Sequence, residues 1–137
     1  MGIILDSSVI ISGERGAFQL ESWLSNHPSE IELAAITVAE LWHGVVRATP
    51  QHRVRREAYV RRIIDLLPII PYTERTAFEH ARIWAELAQE GRMTGYYDII
   101  VAATAIERDC EVATLNTKHF AGIRGLKLTK LRGAIFE

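Results

Sequence analysis

Five short apolar runs along the chain have the length of buried strands, and the segments between them have helical spacing of apolar positions. The predicted strands are residues 3–5, 31–36, 69–70, 111–115 and 126–128. A first helix is predicted from the end of the first strand to about residues 22–24, with interruptions at Gly13 and Gly16. A second begins at Thr37, and further helices are predicted at residues 51–67, 73–90, 97–107 and, briefly, 116–120. Because parallel strands need crossover connections, this alternation predicts a mainly parallel sheet with helices on both faces.

Local sequence signals mark where several of these helices begin, end and pack. Thr37 and Glu40 have the Thr-x-x-Glu spacing of a capping box, and Gly91 stands where a helix C-terminal cap belongs. One face of the helix at 73–90 is predicted to carry Ala77, Ala81, Trp84 and Ala88. The helix at 97–107 is apolar nearly all round, so we expect it to be covered on every side.

Composition restricts the class of protein. With 137 residues, 48% of them hydrophobic and 24% charged, the chain has the size and balance of one globular domain spanning residues 1–137. A formal net charge of −1 excludes bulk coating of nucleic acid, so any nucleic-acid contact must be local. Cys110 is the only cysteine, which excludes an intrachain disulfide framework and favours a cytoplasmic protein.

No membrane segment is predicted. The longest nearly uninterrupted apolar stretch covers residues 99–106, whereas a bilayer-spanning helix needs about 20 apolar residues. The first residues also lack the basic start and long apolar region of a signal peptide.

Polar residues stand where predicted strands end and the next helices begin. Asp6 follows the first strand, Glu40 lies in the first turn of the helix after the second strand, Asp98 lies in the first turn of the buried helix, and Asn116 follows the fourth strand. In open parallel sheets, ligands bind beyond the C-terminal ends of the strands. We therefore expect these four residues to lie near one another.

Each of the four also has a purely structural interpretation. Asp6 fits a helix N-cap, Glu40 the second half of a capping box, Asp98 a charge favoured by the helix dipole, and Asn116 a turn residue. A cap contributes about 1 kcal/mol, whereas two unit charges about 4 Å apart repel by about 4 kcal/mol at an effective dielectric of 20. Converging acids therefore need a counter-charge.

The sequence favours a bound cation as that counter-charge. No Lys or Arg directly flanks Asp6, Glu40 or Asp98. Three carboxylates and an amide oxygen form an all-oxygen, anionic site, which suits Mg²⁺ or Mn²⁺ and does not suit zinc. Such an ion activates water and holds phosphate oxygens, so the pattern indicates metal-assisted phosphodiester hydrolysis.

In four motifs the chain resembles the PIN domain family, and particularly its VapC-type toxins. The motifs are ILDSSVI at residues 4–10, TVAEL at 37–41, DIIVAATA at 98–105 and ATLNTKHF at 113–120. The resemblance implies an α/β/α sandwich with a mainly parallel sheet of about five short strands. It also implies a Mg²⁺- or Mn²⁺-dependent endoribonuclease that hydrolyses RNA, forms a homodimer, and is held inactive by a cognate VapB-type antitoxin.

Carried over by residue, the resemblance makes Asp6, Glu40 and Asp98 the metal-binding carboxylates, with Asn116 assisting catalysis. Ser8 and Thr114 are implied as hydroxyls that support the site. Many members have an acid where this chain has Asn116, and often an Asp where it has His119. With fewer negative charges, we expect one well-bound ion, and the binding of a second is left open.

Two functions from other classes stay open at this point. One is a catalytically inactive protein-interaction module in which the acids are only helix caps. The other is a signalling domain that receives a phosphoryl group, although residues 71–73 supply no acid after the third strand. Metal titration separates the nuclease from the inactive module, because bound metal stabilises the fold that binds it.

The surface offers two further features with alternative interpretations. Five arginines lie on the predicted helix at 51–67, either as a solvated face paired with acids or as a contact for RNA or antitoxin: Arg53, Arg55, Arg56, Arg61 and Arg62. Three aromatic residues flank the candidate site residues, either as core and dimer contacts or as platforms for RNA bases: Trp42, Tyr96 and Tyr97.

Overall fold

Four short strands form one parallel sheet at the centre of the part of the chain that the structure describes. The computed structural model describes residues 1–27, 30–92 and 94–131. The strands, in spatial order β3-β2-β1-β4, are β1 (Ile3–Leu5), β2 (Ile31–Ala34), β3 (Ile69–Ile70) and β4 (Glu111–Ala113). Ile3 of β1 is in register with Ile31 on one side and Glu111 on the other. The central position of β1 puts Asp6, the next residue, in the middle of the C-terminal end of the sheet.

Helices cover both faces of the sheet, as the sequence predicts. They are α1 (Ser7–Glu14), α2 (Leu20–Asn26), α3 (Ala35–Arg47), α4 (Pro50–Leu66), α5 (Glu74–Gln89), α6 (Tyr96–Glu107) and α7 (Thr117–Phe120). No helix in the described ranges combines the length and apolarity that crossing a membrane requires.

The core lies in two layers, one on each face of the sheet. Successive strand residues point to opposite faces, so Ile3 and Leu5 pack with buried residues of α1 to α4. Ile4 instead packs with buried residues of α5, α6 and α7. Helix α6 is buried in its central part, at Ile99 and residues 101–105, as its nearly continuous apolar sequence predicts, whereas Tyr96 and Tyr97 at its start are exposed. The predicted α/β/α sandwich is confirmed.

The predicted fifth strand is reduced to a single bridge. Val112 of β4 bridges Leu128 in parallel, through hydrogen bonds from Val112 N to the Lys127 carbonyl (2.9 Å) and from Thr129 N to the Val112 carbonyl (2.8 Å). Gly125 has a φ of 87°, so the segment before the bridge is a turn rather than extended chain. Within residues 121–131, the described segment after α7, the bridge to the sheet is at Leu128.

The predicted capping box at Thr37 and Glu40 is wrong. Strand β2 ends at Ala34 and α3 begins at Ala35, so Thr37 is the third residue of the helix and Glu40 lies in its second turn. The Thr37 hydroxyl is buried and has no hydrogen-bond partner among the described residues. Glu40 therefore has no capping role to explain its position.

Helix α5 packs on a different face from the one predicted. Its buried residues are Thr76, His80, Ile83 and Leu87, whereas Trp84 on the predicted face is half exposed. Two of the buried residues are polar, so a prediction from apolar positions alone misses them. They can be buried because nearby residues form hydrogen bonds with their polar atoms. The Thr76 hydroxyl accepts a hydrogen bond from the backbone of the N-cap residue, and His80 Nδ1 lies 2.8 Å from the hydroxyl of Tyr72.

The first predicted helix is two helices. Gly16 has a φ of 78°, a left-handed conformation that ends α1 and that other residues rarely adopt. The second helix, α2, begins at Leu20 after this turn. This break leaves Ser8 on a short helix, α1, which begins directly after Asp6 at the end of β1.

Candidate metal centre

Asp6 is a buried carboxylate that does not cap the helix it precedes. Its backbone occupies the N-cap position of α1, but its side chain makes no capping hydrogen bond. Oδ2 accepts hydrogen bonds from Ser8 Oγ (2.7 Å) and Thr114 Oγ1 (2.8 Å), and only 2% of the residue is exposed. Two hydroxyl donors therefore hold a negative charge at the C-terminal end of the sheet, and the helix-cap interpretation of Asp6 fails.

The two hydroxyls belong to a network that joins β1 and β4. Ser8 Oγ accepts a hydrogen bond from Leu115 N (3.0 Å), and Thr114 Oγ1 accepts one from Asn116 N (2.9 Å). Each hydroxyl donates its hydrogen to Asp6 Oδ2, because a carboxylate oxygen accepts hydrogen bonds. The backbone after β4 thereby sets the orientation of the Asp6 carboxylate.

Glu40 has the most perturbed carboxyl group of the site. Burial first, and then the charges of Asp6 and Asp98, together raise its pKa to about 7, while a hydrogen bond from the Ser7 side chain lowers it in part. Its Oε1 is buried and has no hydrogen-bond partner among the described residues. A buried, unpartnered oxygen beside two negative charges is an acceptor that lacks a donor or a cation.

Asp98 is the third residue of α6 and completes the acidic group. Burial raises its pKa, and the charge of Asp6 raises it as well, whereas a hydrogen bond and charge from His119 lower it. The hydrogen bond joins His119 Nδ1 to Asp98 Oδ2 at 3.0 Å. Asp6, Glu40 and Asp98 therefore meet in one electrostatic neighbourhood, although 92 positions separate the first from the last.

The chemistry of this group fits a hard divalent cation. All its donors are carboxylate oxygens, and no Lys or Arg is among the groups that shift the pKa of Glu40 or Asp98. Within the described ranges, no three Asp, Glu, His or Cys side chains already stand around one ion position. Binding would therefore include rotation of at least one carboxylate, and the free Oε1 of Glu40 is available for it.

Asn116 lies beside this group through its backbone. It precedes α7, its side chain makes no capping hydrogen bond, and the residue is exposed. Its backbone N–H reaches Asp6 indirectly, through the hydroxyl of Thr114. A catalytic role for its side chain stays a prediction.

Two contributors to the site were not predicted as such from the sequence. Ser7 donates to Glu40, and His119 contacts Asp98, although the sequence singled out His119 only as a departure from a motif. The position of Ser7, directly after Asp6 at the end of a predicted strand, could have indicated that it contributes to the site. Nothing in the local sequence pairs His119 with an acid 21 positions earlier.

A cavity of about 460 Å³ opens beside Glu40. Its lining combines apolar side chains with an aromatic residue and an imidazole: Ser7, Ile11, Ile36, Ala39, Glu40, His43 and Tyr97. Tyr97 is half exposed and makes an edge-to-face contact with Tyr96, with the two ring centres 5.8 Å apart. These two tyrosines lie at the surface and not in the core.

The arginines of α4 are mostly paired. Ion pairs join Arg56 to Glu14 (3.3 Å), Arg61 to Glu57 (3.4 Å) and Arg62 to Glu21 (2.7 Å), while Arg53 donates to two backbone carbonyls. The guanidinium of Arg61 also lies 4.8 Å from the ring centre of Trp42, which packs partly against the core. This favours the interpretation of the helix as a solvated, paired face.

Comparisons with known proteins identify the family of the chain. The model of the PIN domain family matches residues 3–126. Ribonuclease VapC1 of Rickettsia felis is 33% identical over 129 residues, which cover 93% of this chain and 95% of that protein.

The chain is also similar in fold to solved VapBC structures. A DNA-bound VapBC from Salmonella typhimurium has a TM-score of 0.84 at 27% identity, and the match covers 94% of this chain and 97% of the other. VapBC-5 from Mycobacterium tuberculosis, described as a member of the VapBC family of toxin–antitoxin systems, has a TM-score of 0.77 at 25% identity, covering 95% and 99% of the two chains.

Proposed function

Because the chain belongs to the PIN domain family, we propose that it is a metal-dependent endoribonuclease that hydrolyses RNA phosphodiester bonds as the toxin of a VapBC-type pair. The observation that carries the proposal is the state of Glu40. Its carboxyl group is partly buried beside two other acids, has one buried oxygen without a partner among the described residues, and has a pKa raised to about 7. Such a group costs stability unless a cation binds there.

Asp6, Glu40 and Asp98 would hold Mg²⁺ or Mn²⁺. When bound, the ion supplies a water of lowered pKa and a positive charge for a phosphate oxygen. The chain's own part is to orient the ligands. The hydroxyls of Ser8 and Thr114 keep the Asp6 carboxylate in place. Asn116 assists catalysis, and its backbone N–H orients the Thr114 hydroxyl.

We propose one tightly bound ion. After β4 the chain has Asn116 and His119 at two positions where many members of the family have an acid. Three carboxylates therefore supply the negative charge. A neutral amide oxygen attracts a second divalent cation less than a carboxylate does. A second ion would bind together with the substrate, whose phosphate adds the missing charge.

The proposed partners follow from the same assignment. They are an RNA substrate, a cognate VapB-type antitoxin and a second copy of this chain in a homodimer, and the proposed compartment is the cytoplasm. Half-exposed Trp84 of α5 and largely exposed Tyr96 of α6 have ring centres 6.5 Å apart and form an apolar surface, which supports the dimer. The rival function, an inactive interaction module, needs the acids as helix caps, and neither Asp6 nor Glu40 acts as one.

The deciding experiment is cleavage of total cellular RNA with Mg²⁺, with Mn²⁺ and with chelator. Wild type should cleave only with metal, and Asp98→Asn should not cleave, because it removes one of three ligand charges while keeping the side-chain size. Asp65→Asn, an exposed acid on α4, is the matched control and should cleave like wild type. Cleavage by Asp98→Asn at the wild-type rate, or wild-type cleavage in chelator, would reject the proposal.

A further inference from the structure

The carboxylate of Asp98 is held by contacts outside the group of three acids. His119 Nδ1 lies 3.0 Å from Asp98 Oδ2. An ionised carboxylate only accepts hydrogen bonds, so the imidazole nitrogen at this distance is the donor. The bond occupies Oδ2, and Oδ1 remains for another partner.

His119 is itself fixed in position by its backbone. Its N–H donates to the Asn116 carbonyl (3.0 Å), and its carbonyl accepts a hydrogen bond from Thr94 Oγ1 (2.6 Å). The next residue, Phe120, is 1% exposed and anchors α7 in the core. The imidazole therefore approaches Asp98 from a short helix tied both to the core and to the loop before α6.

Gly95 leaves the space that the Asp98 carboxylate occupies. A β-carbon at Gly95 would lie 2.8 Å from Asp98 Oδ2 and 3.4 Å from Asp98 Cγ, and the first distance is shorter than real contacts allow. Gly95 has a φ of −56°, so an alanine is compatible with the backbone. The conflict is therefore with the carboxylate, which would have to move.

We propose that His119 and Gly95 are positioning residues that set the rotamer of Asp98 for cation binding, and this rests on the proposed metal-dependent function. His119 acts by donating Nδ1–H to Oδ2, and Gly95 acts by leaving room for the carboxylate. Groups that hydrogen-bond a metal ligand commonly change metal affinity by about 10- to 100-fold when removed. His119 has the geometry of such a group.

A purely structural role for His119 predicts that removing its side chain lowers the melting temperature of the metal-free protein. Its side chain is 54% exposed, so its removal opens no core cavity and should leave the melting temperature of the metal-free protein nearly unchanged. A positioning role instead predicts weaker metal binding at unchanged metal-free stability. It also predicts that a side chain with a donor at the right atom restores binding.

The experiment is a titration of purified full-length protein with Mn²⁺, followed by thermal shift and by electron paramagnetic resonance of the free ion. His119→Ala should weaken Mn²⁺ binding by about tenfold or more. His119→Asn should recover much of it, because its amide nitrogen replaces Nδ1. His119→Gln places its amide where Nε2 was and should not. Gly95→Ala should weaken binding with His119 intact, and Lys118→Ala on the same helix is the control.

The outcomes separate this proposal from the proposed function. Wild-type affinity in both His119→Ala and Gly95→Ala would overturn the positioning roles while leaving a metal nuclease in place. Equal weakening by His119→Asn and His119→Ala would overturn the donor role of His119. If wild type itself binds no Mn²⁺, the metal-dependent function fails and this proposal fails with it.

Discussion

Each end of the parallel sheet holds a carboxyl group that is at least partly buried, and the two ends differ in whether the chain supplies a counter-charge. At the N-terminal end, Glu32 of β2 is 7% exposed, and Arg108 places one nitrogen 3.1 and 3.4 Å from its two oxygens. The thiol of Cys110 lies 3.9 Å from Oε1. At the C-terminal end, Glu40 meets two further acids, and one of its oxygens has no partner among the described residues.

The difference separates a structural carboxylate from a candidate functional one. Glu32 has its counter-charge within the chain, so the fold needs nothing added at that end. At Glu40, by contrast, no basic residue is among the groups that shift the pKa, and the charged groups that do so are Asp6 and Asp98. Folding therefore leaves an electrostatic cost at one end only, and a protein retains such a cost where a ligand removes it.

The largest expected difference between the two ends appears when one carboxylate at each end is neutralised. Glu40→Gln should lower metal-dependent RNA cleavage by about 100-fold or more and should reduce the thermal stabilisation by Mn²⁺, because it removes a ligand charge. Glu32→Gln should keep wild-type cleavage and wild-type stabilisation by Mn²⁺. The measurement is initial cleavage rate and melting temperature of both variants with and without Mn²⁺.

Similar effects of the two substitutions would contradict the comparison. If Glu32→Gln lost cleavage as fully as Glu40→Gln, burial rather than a missing counter-charge would explain both. If Glu40→Gln were stabilised by Mn²⁺ as much as wild type, Glu40 would not be a ligand.

A smaller effect is expected on stability when the paired end is broken. Arg108→Ala leaves the buried Glu32 carboxylate without its guanidinium and should lower the free energy of unfolding by about 2 kcal/mol. The value is moderate because 40% of the Arg108 side chain is exposed to screening solvent. Urea unfolding measures it, and Arg108→Ala with Glu32→Gln should recover part of the loss. No change in Arg108→Ala would mean that solvent already neutralises Glu32.

The order of strands and helices could be predicted from the sequence because it depends on local pattern. Short apolar runs between helical segments fix a parallel sheet, and a residue directly after a parallel strand must lie at its C-terminal end. Asp6 was placed correctly by this rule alone. The charges on Asp6 and Asp98 then act on Glu40, as the convergence of strand ends predicts.

Contacts between distant residues could not be predicted in the same way. Glu32 lies inside a predicted strand, and nothing local pairs it with Arg108, which is 76 positions away. The bond between His119 and Asp98 likewise depends on how α7 docks after β4. The buried face of α5 was missed because a satisfied His80 is as compatible with the core as an aliphatic residue.

The smallest expected effect is a pH dependence specific to the unpaired end. In the unfolded chain Glu40 titrates near 4.5, whereas in the folded, metal-free protein its pKa is about 7. Between these values the folded state binds more protons than the unfolded state, so stability falls as pH rises from about 4.5 to about 7. Because Glu40 is only partly buried, solvent screening limits this contribution to about 1 kcal/mol.

The other carboxyl groups of the chain also respond to pH, so a difference between two variants is needed to isolate the contribution of Glu40. Urea unfolding of wild type and Glu40→Gln in chelator, at pH 4.5, 5.5, 6.5 and 7.5, isolates it. Glu40→Gln should gain stability relative to wild type as pH rises, and Mn²⁺ should remove the gain because a bound cation favours the ionised carboxyl. A constant difference across this range would mean that Glu40 titrates as an ordinary glutamate, and the contrast between the two ends of the sheet would lose its electrostatic basis.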